Sequence, residues 1–361
     1  MEREESTLEK MVIAKNYQSK KILVTGHNGF KGSWLCLWLE MLGAEVMGVS
    51  LPLMEGPGHA KSLQLTHASV ELDVRDGESL RNIFRSFQPD MVFHLAAQPF
   101  VGQSFSSPHH TFDVNIRGTL NVLESARNTP SVRAIVCVTS DKVYAEPSTA
   151  GDLRESARLG GDSPYAASKA ASEMVLASYQ RNYFNTSDGP LLGIARAGNI
   201  LGGGDWGEQR LIPDIIGAVY ERTPLTVRQP NYQRSWLHVF DVVHGYLALG
   251  DALMERNPQA SSAFNFGPGP QGHKTVSEVL LSAQALLPQL QYMTAPAETY
   301  PEEKTIALDI LKAKEVFGWQ SLLPFTESMQ LTIEWYRQYY EAQRVVSREM
   351  LSAYIKRISL L

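Results

Sequence analysis

The sequence predicts an α/β protein: a doubly wound parallel sheet with a smaller C-terminal α/β region that binds substrate. Three observations lead there. Residues 20–32, KKILVTGHNGFKG, run from an apolar β-branched stretch through three glycines into a helical pattern. Strand-like and helix-like segments then alternate up to residue 139, the pattern of a parallel sheet with crossover helices. A sixth strand pattern at 191–196 is followed by a shorter one at 225–228 and a helical end.

Composition narrows the class. The 361 residues carry 33 Lys and Arg against 38 Asp and Glu, a net charge of −5, so no basic excess points to nucleic acid. The length leaves room for one large or two modest domains with ample core. No apolar run reaches the ~18 residues of a membrane helix, and the first twenty residues are too charged for a secretory signal, so a cytoplasmic protein without a membrane partner is expected. Cys36 and Cys137 lie in apolar helix and strand patterns and read as small buried hydrophobes, not as disulfide partners or zinc ligands. The nine histidines show no ligand spacing, and the adjacent His109 and His110 are expected in a solvated loop, so no metal site is expected. The chain is divided into a poorly ordered leader (1–18), a mainly dinucleotide-binding region (19–190), and a region (191–361) with the last sheet strands and the substrate-binding part.

Taken in order, the strand at 22–24 leads into Gly26, Gly29 and Gly32. Such a turn sets backbone N–H groups and a helix N-terminus beside a diphosphate, where a Cβ would block the close approach. The dinucleotide is expected against Gly26, Asn28, Gly29, Phe30, Lys31 and Gly32. From Ser33 a helix apolar on most of its circumference is expected to be buried and to end at Gly43. The second strand, 45–51, usually ends in an acid that binds the adenosine ribose. No acid stands between residues 46 and 54, so backbone or polar groups take that role and the choice between NAD and NADP stays open.

The third strand, 70–74, places Asp73 toward the adenine amino group with Val74 beside it, while Asp76 caps an amphipathic helix over 79–87. The fourth, 91–97, ends in Leu95, Ala96 and Ala97, which would let a cofactor lie across it; His94 is expected to be a satisfied core histidine. In a helix over 112–126, Asn115 faces the side of Thr119 and Val122 and is expected to bridge backbone groups of neighbouring strands beside the cofactor. The fifth strand, 134–139, delivers Thr139 to the cofactor and Ser140, Asp141 and Lys142 to the strand ends where ligands bind.

Tyr165 and Lys169 lie four apart on a helix with Pro164 in its first turn, so they share one face. An ammonium one turn away is expected to lower the tyrosine pKa from its usual ~10. The pair could then take a proton from a substrate hydroxyl while hydride leaves the same carbon for a nicotinamide. The lysine would also hold the nicotinamide ribose.

Together TGHNGFKGSWL (25–35), TSDK (139–142), YAASK (165–169), RAGNILGGGDW (196–206) and RLIPD (210–214) resemble the extended short-chain dehydrogenase/reductases. Within them the chain is most similar to the nucleotide-sugar 4,6-dehydratases, the CDP-glucose branch above all, from about residue 17 onward. The resemblance implies NAD that stays bound and is recycled in each turnover. The reaction implied is conversion of CDP-glucose to CDP-4-keto-6-deoxyglucose with loss of water. Tyr165 would deprotonate the 4-hydroxyl with Ser140 hydrogen-bonding its oxygen, Lys142 would remove the C5 proton, and Asp141 would protonate the departing 6-hydroxyl. A basic Lys142 requires desolvation or nearby positive charge.

Arginine suits a diphosphate, so Arg210, Arg228 and Arg234 are candidate anchors. The resemblance adds Gln98, Ser104, Asn199, Leu211 and His238 to the substrate set. Residues 265–268 resemble a late strand of the substrate region. Residues 306–311 and 328–340 would complete a helical end, and 345–361 form a helix packed on its own domain. A homodimer is implied through helices 112–126 and 166–179. Alternatives are a dehydratase for another nucleotide and a nucleotide-sugar 4-epimerase, which needs no Asp141 and Lys142 pair. A non-catalytic cofactor-binding protein is a third, disfavoured by intact Ser140, Tyr165 and Lys169.

Overall fold

A computed structural model describes residues 16–53, 55–145, 152–184, 186–269, 272–294 and 305–360. The apolar, β-branched runs form strands where the sequence places them. β1 is Lys21–Thr25, β2 Glu45–Ser50, β3 Ala68–Glu71, β4 Met91–His94, β5 Ala134–Val138 and β6 Leu191–Ala197. Shorter strands follow: β7 Asn199–Leu201, β8 Leu225–Val227, β9 Gln233–His238, β10 Ala263–Phe266, β11 His273–Thr275 and β12 Tyr292–Thr294.

Seven of them make one parallel sheet in the order β10-β6-β5-β4-β1-β2-β3. The order reverses between β1 and β4, and ligands of doubly wound sheets bind in the crevice at that point. Thr25 stands opposite His94, His94 opposite Cys137, and Val138 opposite Ala195, so the C-terminal ends of four strands meet at one edge.

Side chains alternate across the sheet with the period of two that a strand imposes. Ile22, Val24, Val136 and Val138 join a core with the helices Phe30–Met41 and Val239–Met254; Leu23, Ile135 and Cys137 join another with the helices Gly77–Phe87, Gly118–Arg127 and Pro164–Asn182. Both cysteines are buried, and burial pushes the Cys137 thiol up to about 12.

Beyond the main sheet, β7, β9 and β11 form a three-stranded mixed sheet and β8 pairs with β12. The helices Leu211–Tyr220, Val276–Leu286 and Phe325–Tyr340 surround them. Among the described residues no helix is long and apolar enough to cross a membrane, and no cluster of three metal-ligating side chains occurs.

Tertiary pairing moves several expected boundaries. β10, expected in the substrate region, pairs with β6 in the main sheet, because Phe264 and Phe266 complete that sheet's core. β3 ends at Glu71, so Asp73 lies in the following loop. The helix expected over 112–126 is broken into Pro108–Phe112, a wide π-turn at Asp113–Arg117, and Gly118–Arg127. His109 and His110 therefore sit on a short helix instead of a loop.

Residues 306–309 lie outside any helix, where Leu153 exchanges backbone hydrogen bonds with Ala307 and Asp309; the helix Leu311–Phe317 starts only after Ile310. Residues 1–15 of the expected leader lie outside the described residues. Tyr17 is buried and donates to the Leu247 carbonyl at 2.7 Å, so the leader's end is packed. The helix Ser347–Ile358 packs on its own chain through Leu351, Tyr354 and Ile355.

Candidate active site

The crevice between β1 and β4 is built from backbone. Gly26 has φ +77°, and a Cβ there would lie 2.7 Å from the Ala96 nitrogen; one on Gly32 would lie 2.1 Å from the Gly26 carbonyl oxygen. Side chains at either position would fill the turn, which keeps it open to a flat or anionic ligand. The helix Phe30–Met41 starts after Gly29 with no side-chain cap, leaving its first N–H groups to an outside acceptor. Asn28 donates to the Leu51 carbonyl at 3.0 Å and, through its backbone, to the Ser50 hydroxyl at 3.4 Å. A hydroxyl thus stands where an acid commonly ends the second strand.

The cradle fits a dinucleotide diphosphate, with Leu95, Ala96 and Ala97 as a half-buried loop beyond β4 on its other side. These three lie past the strand rather than in it. Asp73 accepts from the Arg75 side chain through both oxygens at 3.1 and 3.0 Å, and that guanidinium holds its carboxyl below the usual range. Val74 is buried under Gly118. His94 bonds Thr25 at 2.7 Å and Thr119 at 3.0 Å, as a core histidine should. Asn115 accepts from the Gln98 backbone and donates to its carbonyl and to Ser168, so it joins the loop after β4 to the helix of Tyr165.

Where β5 ends, the chain passes through Thr139 into a short 3-10 turn at Asp141–Val143. Ser140 caps this turn, accepting from the Lys142 backbone at 3.2 Å, and its hydroxyl donates to Asp141 at 3.1 Å. Tyr165 is close enough to the same serine for Ser140 to lower its pKa. All four residues line one cleft of about 410 Å³, within the range of small-molecule sites.

The electrostatics differ from the sequence expectation. Burial raises the Tyr165 pKa; Ser140 opposes this, Asp141 reinforces it, and Arg210 opposes it. Lys169 is not among the groups that lower it; its ammonium donates to the Val138 carbonyl at 3.2 Å. Burial lowers Lys169 itself to about 8. Lys31 also lines the cleft, near Lys169, Arg210, Asp141 and Asp205, with its ammonium 3.3 Å from the Tyr246 hydroxyl. Burial first, then the two cations, lower it to about 7 against the pull of the two carboxylates.

Asn199, Arg210, Leu211, Arg228 and Arg234 line the same cleft. Arg210 pairs with Asp205 at 3.1 Å and lies over the Phe100 ring; Arg234 lies over the Tyr232 ring. Three expected substrate contacts do not reach it. Ser104 is buried and donates to the Val101 carbonyl at 2.6 Å inside its own helix. Gln98 is consumed by the Phe100 backbone and Thr111, shaping its loop. His238 is buried as the N-cap of the helix Val239–Met254, accepting from the Phe240 backbone at 3.2 Å. Sequence reasoning overlooked Asp205, Asp214, Gln229 and Tyr232 in the cleft wall; Asp205 lies within RAGNILGGGDW and Asp214 ends RLIPD, the one available signal.

The NAD dependent epimerase/dehydratase family model matches residues 22–267. CDP-glucose 4,6-dehydratase of Salmonella typhimurium is 34% identical over 354 residues, 95% of this chain and 99% of that protein. dTDP-glucose 4,6-dehydratase of Neisseria gonorrhoeae is 28% identical over 344 residues, 88% of this chain and 95% of that one. Among solved structures, UDP-glucose 4-epimerase of Thermus thermophilus in complex with NAD superimposes with a TM-score of 0.77 at 28% identity, over 88% of this chain and 99% of that chain.

Proposed function

The chain belongs to the NAD-dependent epimerase/dehydratase family, and from that premise we propose that it is an NAD-dependent nucleotide-sugar 4,6-dehydratase acting on CDP-glucose. One observation carries this reading: Tyr165 and Ser140 share a cleft with Asp141 and Lys142 at the end of β5. Proton abstraction at one carbon and elimination at the next two thus have their groups side by side. The 34% identity to a CDP-glucose 4,6-dehydratase over nearly the whole chain supports the choice of substrate.

Gly26–Gly32, Asp73 and the loop beyond β4 would hold NAD, which when bound would supply hydride transfer at sugar carbons C4 and C6. To take the proton of the 4-hydroxyl, with Ser140 holding that oxygen, Tyr165 must be the phenolate, a form that the positive nicotinamide of bound NAD would favour against burial. The resulting C4 ketone acidifies the C5 hydrogen, and Lys142 removes it as a proton. Asp141 protonates the 6-hydroxyl, which leaves as water with the C6–O bond electrons, and a C5–C6 double bond forms. Lys142 returns its proton to C5 as C6 is reduced. Lys169 would hold the nicotinamide ribose, and Arg210 and Arg234 bind the diphosphate. An epimerase would have no use for the elimination pair.

The test is incubation of the purified protein with CDP-, dTDP-, GDP- and UDP-hexoses, with and without NAD. Product mass and alkaline ultraviolet absorbance are followed. The expected result is loss of one water from CDP-glucose with no net reduced cofactor. Water loss from another nucleotide alone would correct the base, and conversion without change of mass would replace dehydration with epimerisation.

A further inference from the structure

We propose that Asp214 reads the nucleobase of the substrate, its carboxylate accepting a hydrogen bond from the exocyclic amino group of cytosine and so selecting a cytidine nucleotide. The inference rests on the dehydratase reading, which decides which end of the cleft takes the hexose. With sugar carbons 4 to 6 at Ser140 and Tyr165 and the diphosphate at Arg210 and Arg234, the rest of the cleft lining is left to the nucleoside. β8, Tyr232, Val276 and the first turn of the helix Leu211–Tyr220, where Asp214 stands, line the same cleft.

The other enclosed carboxylates of the cleft are engaged: Asp205 by Arg210, Asp141 by the Ser140 hydroxyl. Asp214 is half-buried, yet among the described residues its carboxylate accepts no hydrogen bond and forms no ion pair within 4.0 Å. A partly desolvated acceptor without a donor is costly, and a donor arriving with a ligand removes that cost. Burial lifts its pKa to about 6, with Arg228 opposing and Asp205 and Glu208 reinforcing, so it is an ionised acceptor above that pH.

The ligand's own chemistry selects the donor. A diphosphate offers no N–H and would be repelled. Cytosine carries an amino donor at C4, whereas uracil and thymine carry a carbonyl acceptor there, which a carboxylate rejects. Ribose hydroxyls are common to all three nucleotides and would give no discrimination.

Calorimetric titration of the full chain with CDP, UDP and dTDP at about pH 8 tests this without turnover. Wild type is expected to prefer CDP. Asp214→Asn, whose amide can donate to a C4 carbonyl, should weaken CDP by about tenfold or more and leave UDP unchanged or tighter. Asp214→Leu should lose the preference for CDP without a gain for UDP, and unchanged thermal melts show that both variants fold. Equal weakening of CDP and UDP, or an unchanged ratio in both variants, overturns the role of Asp214 and leaves the substrate reading intact. Wild type that binds UDP or dTDP as tightly as CDP overturns the cytidine reading itself, and the inference with it.

Discussion

Arg196 grips Glu173 through its Nε, which donates to the two carboxylate oxygens at 2.9 and 3.1 Å, and both side chains are buried. Glu173 stands one turn beyond Lys169 on the helix of Tyr165 and also accepts from the Thr139 hydroxyl at 2.7 Å. Arg196, on β6, donates onward to the Tyr144 hydroxyl at 2.9 Å, which donates to Asn265 at 2.6 Å. The pair bolts the tyrosine helix to the strand ends beside Ser140.

Removing one partner leaves a buried charge uncompensated, which typically costs about 3–5 kcal/mol, whereas removing both costs less. Arg196→Met is therefore expected to destabilise the chain by roughly that amount. The double variant Arg196→Met with Glu173→Gln should recover part of the loss in urea denaturation. A double variant no more stable than the single one would show that the charge is not what the arginine compensates.

Under the dehydratase reading, Tyr165→Phe removes the group that takes the 4-hydroxyl proton. It should lower kcat by roughly 10²–10⁴-fold while NAD still binds. Lys142→Met should instead permit oxidation and stop elimination. In a single turnover it should accumulate the near-ultraviolet absorbance of reduced nicotinamide and lose exchange of the C5 hydrogen with solvent. Normal C5 exchange in that variant would remove Lys142 from its assigned step.

Lys31 gives the cofactor-free chain a pH dependence whose sign follows from its shift. Its folded pKa, about 7, is below the ordinary 10.5. Its full contribution to stability is present above the unfolded value and is lost as pH falls through the folded one. Wild type should lose roughly 2–4 kcal/mol from this group between about pH 10 and pH 6, less than the shift alone gives because the side chain borders an open cleft. Lys31→Met should flatten that part of the stability profile measured by denaturant unfolding. An identical slope in the variant would assign the dependence elsewhere.

The homodimer implied by the sequence resemblance would use the helices Gly118–Arg127 and Pro164–Asn182. Leu120 and Met174 on them are 38% and 62% exposed. A glutamate placed in an apolar contact between copies would be buried without a partner. Met174→Glu should therefore halve the mass measured by light scattering, if wild type elutes as a dimer; a wild-type monomer would retire the proposal directly.

The sequence by itself determined the parallel doubly wound class, the glycine turn, the places of Ser140, Asp141 and Lys142 beyond the end of β5, and that of Tyr165 in the first turn of a helix. These are written in local periodicity and short spacings, and neighbouring residues suffice to impose them. Tertiary structure decided the partners. Ser104, Gln98 and His238 are polar residues near the right segments, but each satisfies a nearby backbone group, and only packing decides whether a side chain faces a cleft or its own chain. β10 joined the main sheet because strand order depends on which edge is open after folding. Lys169 donates to the Val138 carbonyl, and Tyr165 shifted upward because burial, a property of the assembled fold, outweighed the lowering by Ser140 and Arg210. The Arg196 and Glu173 pair and the unengaged carboxylate of Asp214 likewise emerge only when segments distant in sequence enclose a common low-dielectric space, where charges must find partners or wait for a ligand.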